Sequence, residues 1–352
     1  MARVRDVPVH DSTRVRDVRV AAEQAAARGG LDGDRAAAAA LVATELATNL
    51  LKHAGGGQIL LDTVDTPAAG GGAGPTMVQI VAVDHGPGMP DVVAALRDGY
   101  STTASLGAGL GTCRRLCDDF ELHSAPEGTV ALARIGPARP RSAGRPAPPP
   151  LRVGGVNVPY AGAEHSGDAW AWAHAGDRMT LMLADGLGHG EEAAHASTRA
   201  VEELRRSAAL PPEEVLRRLD TALRRTRGAA VAVAQLDLAA GRLRFAGLGN
   251  VGARLRRGDT WQPLLSHPGI VGAHRPATLH RQEADWDDDC LLILHSDGLP
   301  SRWSPGPAAN RGGIDPAVLA AVILRDASSS ARPVRDDTCV AVLSPTPPDP
   351  AS

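Results

Sequence analysis

The spacing of apolar and polar positions predicts two blocks of structure. The first opens with a helix, which Ser12 or Thr13 can cap and Gly29–Gly30 can end. A second helix, rich in Ala and Leu, runs from about Asp34 to His53 and stops at Gly55–Gly57. Strands follow near Gln58–Val64 and Thr76–Asp84, with a Gly-rich turn over Ala68–Gly74 between them. A short helix near Asp91–Arg97, a polar stretch over Asp98–Ser105, a helix from about Gly109, and strands at Phe120–Ser124 and Thr129–Ile135 close the block.

The second block reads as strands near Arg152–Val158, Asp168–His174 and Met179–Ala184, then two amphipathic helices, Glu191–Ala208 and Pro212–Arg225. Strands at Ala230–Asp237, Leu243–Gly247, Gly252–Leu255 and Cys290–His295, a helix at Pro316–Arg325 and a last strand at Thr338–Leu343 complete it. Strands in succession with two consecutive long helices predict an α+β protein whose sheets are covered by helices. Between the blocks, Gly136–Pro150 (GPARPRSAGRPAPPP) cannot pack a core and favours an extended spacer. The chain of 352 residues is thus expected to divide into domain 1–135, linker 136–150, domain 151–345 and tail 346–352.

Composition narrows the partners. Aromatics are only 3% of residues, so the cores must be built from Val, Leu, Ile and Ala. A net charge of -3 gives no electrostatic reason to expect nucleic acid or an anionic membrane as partner. Cys113 and Cys117 share a helix face, but no His or Cys cluster completes a zinc set, and Cys290 and Cys339 sit in apolar runs. Reduced buried thiols, no secretory leader and no apolar run of membrane-spanning length together predict a cytoplasmic protein.

Chemistry gathers in three places in the first block. Glu45, Asn49 and His53 recur every fourth residue on one helix and share a face. A carboxylate and an amide one turn apart suit Mg²⁺ and its waters, and Glu45 can also accept a proton; alone, the set also reads as an exposed polar stripe. A buried strand then delivers Asp84-His85-Gly86-Pro87-Gly88, where Asp84 can accept from an exocyclic amine and the glycines admit a flat base. Third, Gly107-Ala108-Gly109-Leu110-Gly111 opens a helix whose free amides can hold phosphate oxygens, without the Lys-Ser/Thr of a Walker loop. In this order the three resemble the N, G1 and G2 boxes of the GHKL ATPases. TELATNLLKHAGGG, VDHGPGM and GYSTTASLGAGLGTCRRLCDDFE resemble the RsbT/RsbW branch of serine kinases, over residues 12–135. The resemblance implies a Bergerat α/β sandwich binding Mg·ATP, with Glu45 as general base, Asn49 as Mg²⁺ ligand and Asp84 as adenine reader. It implies further that Gly86, Gly88, Gly107, Gly109 and Gly111 shape the pocket and that Thr102–Ser105 forms a lid. His53 reads as a packed or rim histidine.

In the second block four acidic signals each sit where a predicted strand begins or ends: Gly167-Asp168, Asp185-Gly186, Asp297-Gly298 and Asp336-Asp337. Any one Asp-Gly pair reads as a turn. Carboxylates from separate strand ends can converge at one sheet edge, and several of them with little His or Cys suit Mn²⁺ or Mg²⁺ in a two-metal centre that activates water. His189, Glu192 and His195 lack zincin spacing, and Ser296 lacks the flanking glycine of a nucleophile elbow. SGDAW, LMLADGLGHGEEAAHAS, LRFAGLGNVGARL, LLILHSDGL and RDDTCVAVL resemble SpoIIE/RsbX-type phosphatases, relatives of the 2C-type metal-dependent phosphatases, over about residues 151–344. That resemblance implies an αββα sandwich with metal held by Asp168, Asp185, the Gly186 carbonyl, Asp297 and Asp336, Asp337 being left open. The last motif has Asp-Asp-Thr-Cys where the family more often has Asp-Asp-Ala-Thr. No dedicated phosphate-holding arginine is legible, and Gly247, Gly249 and Asn250 read as a tight turn near the site.

The combined resemblance implies hydrolysis of phosphoserine or phosphothreonine on a STAS-domain regulator of a sigma-factor partner-switching pathway. It leaves two roles for the first domain, an opposing serine kinase or a non-catalytic nucleotide-gated sensor, and leaves a homodimer open.

Overall fold

The chain begins with an element its pattern does not predict, the edge strand β1 (Arg5–Val9). Five residues with a proline at the fourth carry too short an alternation to read as a strand, and proline is tolerated at a sheet edge. The computed structural model describes residues 4–68, 73–96, 109–138, 150–310, 312–328 and 334–347. Helices α1 (Arg14–Arg28) and α2 (Gly33–Asn49) lie where expected. Asp32 caps α2 by accepting from Arg35 N at 2.9 Å. One π-helical turn, Leu50–Ala54, extends α2 to Gly55, whose φ of 72° ends it. Strands β2 (Gly57–Pro67) and β3 (Ala73–Val83), the short helices α3 (Val92–Ala95) and α4 (Leu110–Leu116), and strands β4 (Asp119–Ala125) and β5 (Gly128–Ile135) follow. The sheet order is β1-β2-β3-β5-β4, antiparallel throughout.

The second part contributes β6 (Leu151–Val158), β7 (Asp168–Ala175), β8 (Arg178–Gly186), α5 (Glu191–Ser207) and α6 (Pro212–Leu223). Then come β9 (Ala229–Asp237), β10 (Arg242–Leu248), β11 (Gly252–Arg257), β12 (Thr260–Leu264), β13 (Gln282–Asp285) and β14 (Leu291–His295). Helix α7 (Pro316–Ala327) and β15 (Thr338–Pro345) end it. Two five-stranded antiparallel sheets form, ordered β13-β10-β9-β8-β7 and β12-β11-β14-β15-β6. Strands β12 and β13 also escape the pattern, being short, largely exposed edges.

The cores explain the layering. Leu181, Leu183 and Phe245 of one sheet meet Leu292, Leu294 and Ala341 of the other. Helices α5 and α6 bury Leu204, Val215 and Leu219 on the first sheet's outer face. The outer face of the second sheet is covered by α7, in which every residue from Pro316 to Arg325 is buried. A helix apolar all round must be covered all round, and the second cover is the N-terminal sheet. Leu60, Val81, Val83, Val130 and Leu132 pack into the same cluster as Val318, Val322, Val156 and Val340. The opposite face of that sheet packs on α1 and α2 through Ile59, Ile80, Ala133 and Leu46. The two parts therefore share a hydrophobic layer. No helix among the described residues is long and apolar enough to cross a membrane.

Candidate active sites

Strand β3 ends at Val83 and places Asp84 in the wall of a small cavity of about 50 Å³. Asn49, His53, Gly86, Gly88 and Leu110 also line it. Asp84 is buried, and its Oδ1 accepts from Gly86 N at 2.8 Å and Thr129 N at 3.0 Å. Those bonds occupy Oδ1 and fix the orientation of the carboxylate. Gly88 has φ 73°, and a Cβ there would collide with the Ala125 carbonyl, so the loop closes on β4 only with glycine. Glu45, one turn before Asn49, is not part of the cavity wall. It lies beside the Cys113 thiol, which burial, and secondarily the Glu45 charge, pushes up to about 12. Gly109 precedes α4 and Gly111 is buried in its first turn. Gly107 and Thr102–Ser105 lie outside the described residues.

The four acidic signals of the second part come together at one end of the paired sheets. Asp168 and Asp185 are directly opposed in the β7–β8 register. Asp168 is 3% exposed, and its carboxylate oxygens lie beside the Ser296 hydroxyl and Asp185 without a well-formed hydrogen bond. Burial first, then the charge of Asp185, raises its pKa well above the usual carboxylate range. Asp185 is pushed up to about 7 by burial, then by Asp297, Asp336 and Asp337. Asp297 is raised by burial and by Asp336, opposed by a hydrogen bond from the Asn250 amide. Asp337 has a different place: Oδ1 accepts from Tyr160 N and Oδ2 from Gly167 N, both at 2.7 Å, so it ties two loops to the site. Asp336 is exposed and accepts from Asp337 N at 2.9 Å. Gly186 is required by packing, because a Cβ there would strike the Ala193 carbonyl of α5.

Among the described residues no three acidic, His or Cys side chains are already closed around one point as ligands. The donor set nevertheless fits a hard divalent cation: carboxylates crowded without a counter-charge, one of them buried with neither oxygen in a well-formed hydrogen bond.

Residues 9–135 match the histidine kinase-like ATPase domain family, and residues 175–345 match the stage II sporulation protein E (SpoIIE) family. The chain carries an ATPase domain of the first kind followed by a SpoIIE domain. The serine/threonine-protein kinase RsbT of Bacillus subtilis (strain 168) is 44% identical over 91 residues, 26% of this chain and 64% of that protein. The match thus spans less than two thirds of that relative's length. A chain from work on the bacterial stressosome, described as a modular system adapted to control secondary messenger signalling, superposes with TM-score 0.51 at 26% identity. That alignment covers 55% of this chain and 98% of the other. The PP2C phosphatase domain of SpoIIE from Bacillus subtilis, with a fragment of its regulatory domain, gives TM-score 0.49 at 16% identity over 77% and 79% of the two chains.

Within the ATPase domain, the structure brings Asn49, Asp84, Gly86 and Gly88 to one cavity and leaves Glu45 beside it. Within the SpoIIE domain, Asp168, Asp185, Asp297 and Asp336 share one electrostatic neighbourhood. Asp168 precedes the residues matched to the family. Gly249, φ 90°, lies in the turn read from the sequence, and the structure adds that Asn250 donates to Asp297. Sequence reasoning misses Arg227. The backbone one residue on pairs with the segment that follows Gly186, Leu187 N donating to Gly228 O at 3.0 Å. The Arg227 guanidinium is paired with Glu192, and its Nη1 lies 2.9 Å from where a Gly188 Cβ would stand. Its only local signal is an Arg-Gly step before an apolar strand.

Proposed function

We propose that this chain is a metal-dependent serine/threonine protein phosphatase of a partner-switching pathway, carrying an ATP-binding domain that acts as the opposing serine kinase. The observation that carries the hydrolase reading is the convergence of Asp168, Asp185, Asp297 and Asp336, with Asp168 buried and without a well-formed hydrogen bond. Those side chains and the Gly186 carbonyl would hold Mn²⁺ or Mg²⁺. A bound divalent cation supplies Lewis acidity toward a phosphoryl oxygen and toward the attacking water. The protein's own groups do the positioning. Asp337 pins the Tyr160 and Gly167 backbones around the site, Asn250 holds Asp297, and the Arg227 cation beside Gly188, paired with Glu192, would exchange that partner for the phosphate of the substrate.

In the ATPase domain, Asp84 Oδ2 would accept from the adenine amine, Asn49 would hold Mg²⁺ of Mg·ATP, and Glu45 would take the proton of the attacking serine. Gly86, Gly88, Gly107, Gly109 and Gly111 would shape the pocket. Similarity to RsbT and to the stressosome chain supports a STAS-domain protein as the substrate of both activities, and the same reading has both act in the cytoplasm. The test is Mn²⁺-dependent release of phosphate from a phosphorylated STAS protein. Asp185→Asn should abolish release while Mg·ATP binding persists; full activity in that variant would sink the site assignment. Absence of phosphoryl transfer from labelled ATP, with ATP still bound, would leave the ATPase domain as a nucleotide-gated sensor. That second reading is favoured by the burial of the domain's sheet under α7.

A further inference from the structure

We propose that α7 is a strut coupling nucleotide occupancy of the ATPase domain to the carboxylate site of the SpoIIE domain. The inference rests on the assignment of the two sites above and adds the element that joins them.

The C-terminal end of α7 touches the nucleotide loop itself. The His85 ring, between Asp84 and Gly86, places Nε2 3.1 Å from Arg325 O and 3.0 Å from Ser328 O. Both partners are carbonyl oxygens, so Nε2 carries the proton and donates. Arg325 O also accepts from Ser328 N at 3.3 Å across the helix cap, and His85 adds a partner from the other domain. Arg325, 2% exposed, donates from Nη1 to Gly128 O at 2.9 Å. Gly128 abuts the Asp84 carbonyl so closely that a Cβ could not fit, and its neighbour Thr129 binds Asp84 Oδ1. The helix therefore braces the residue assigned to read adenine from two directions.

The other contacts of α7 lead to the carboxylates. It packs directly on β6 and β15: a Cβ at Gly154 would lie 2.6 Å from Ala317 N, so there is no slack in that contact. Strand β15 begins one residue after Asp337, and β6 ends two residues before Tyr160. Asp337 in turn binds the amides of Tyr160 and Gly167, next to Asp168. Close-packed interiors transmit small displacements rather than absorbing them. A ligand that holds the Asp84–Gly88 loop keeps His85 on the helix end, which keeps α7, β15 and the Asp337 contacts in register. Nucleotide and divalent cation should then reinforce one another, by the same factor in both directions.

The test uses the full chain with AMP-PNP and Mg²⁺, reading hydrogen exchange at the amides of Gly167, Asp168 and residues 334–338. The expected result is exchange slowed about 5-fold or more, together with a similar drop in the Mn²⁺ concentration for half-maximal hydrolysis of p-nitrophenyl phosphate. In His85→Ala, AMP-PNP should still bind while both effects vanish; Arg325→Met serves as a second decoupling variant. Slowing confined to the ATPase domain, or slowing that survives intact in both variants, overturns the proposal. If no variant hydrolyses the ester, the phosphatase assignment fails on its own, and the exchange pattern still decides the coupling.

Discussion

Replacing Arg134 by methionine should uncouple the unfolding of the two domains. Arg134 of β5 and Asp315, the cap of α7, form a buried pair across the domain boundary, Nη1 to Oδ2 at 2.8 Å and Nη2 to Oδ1 at 3.0 Å. Arg134 Nε also donates to Gln79 Oε1 at 3.1 Å, and Gln79 Nε2 to Gly155 O at 3.0 Å, so four residues from both domains form one network. Burial alone would raise the Asp315 pKa, but the Arg134 guanidinium and its hydrogen bonds hold it below the ordinary value. The stabilisation is therefore present above the unfolded carboxyl pKa and is lost as pH falls through the depressed one. At neutral pH, removing the cation strands a buried carboxylate, a loss of about 3–5 kcal/mol. Asp315→Asn keeps a capping oxygen for Ala317 N yet strands the guanidinium, at similar cost. The double variant removes both charges and should recover roughly 1–3 kcal/mol of the summed losses. All five tryptophans, Trp170, Trp172, Trp261, Trp286 and Trp303, lie in the SpoIIE domain. Tryptophan fluorescence in urea thus follows that domain, while far-ultraviolet circular dichroism follows both. The wild type should give coincident curves, and Arg134→Met two separated ones. Coincident curves in the variant, or purely additive single-variant losses below about 1 kcal/mol, would refute the reading that the Arg134–Asp315 pair couples the two domains.

Three further outcomes follow from the sites. Arg227→Ala should raise KM for a phosphorylated protein roughly 10- to 100-fold, the worth of a hydrogen bond to a charged group, with a smaller effect on kcat; an unchanged KM removes Arg227 from substrate binding. With divalent cations chelated, thermal melting should drop as pH rises from about 4 to about 7. The raised pKa values of Asp168 and Asp185 mean the native state there holds protons the unfolded chain has released. Mn²⁺ should flatten that slope, and a flat profile under chelation would argue that the carboxylates are not crowded. Asn49→Ala should lose Mg·ATP binding in calorimetry while Mn²⁺-dependent ester hydrolysis persists; intact binding would remove Asn49 from the nucleotide site.

What the sequence determines by itself is local. Helix ends at Gly29 and Gly55, the amphipathic faces of α5 and α6, and the aspartates at strand ends are all written in residues a few positions apart. Contacts within a turn or a strand pair depend on that spacing, so they survive reading in one dimension. The short edges β1, β12 and β13 stay hidden because so few residues alternate there. Helix α7 marks the limit. Its unbroken apolar run announces that both faces are covered, yet nothing near it names the second cover, which comes from strands more than 180 residues earlier. The Pro-rich spacer points to two independent domains, whereas the tertiary structure joins them through that helix. The reach of Asn250 to Asp297 was likewise decided only when the sheets stacked, and the approach of Arg227 to Gly188 only when β9 paired with β8 across the two intervening helices. Which distant side chains meet depends on topology and register, and no short-range pattern along the chain encodes either.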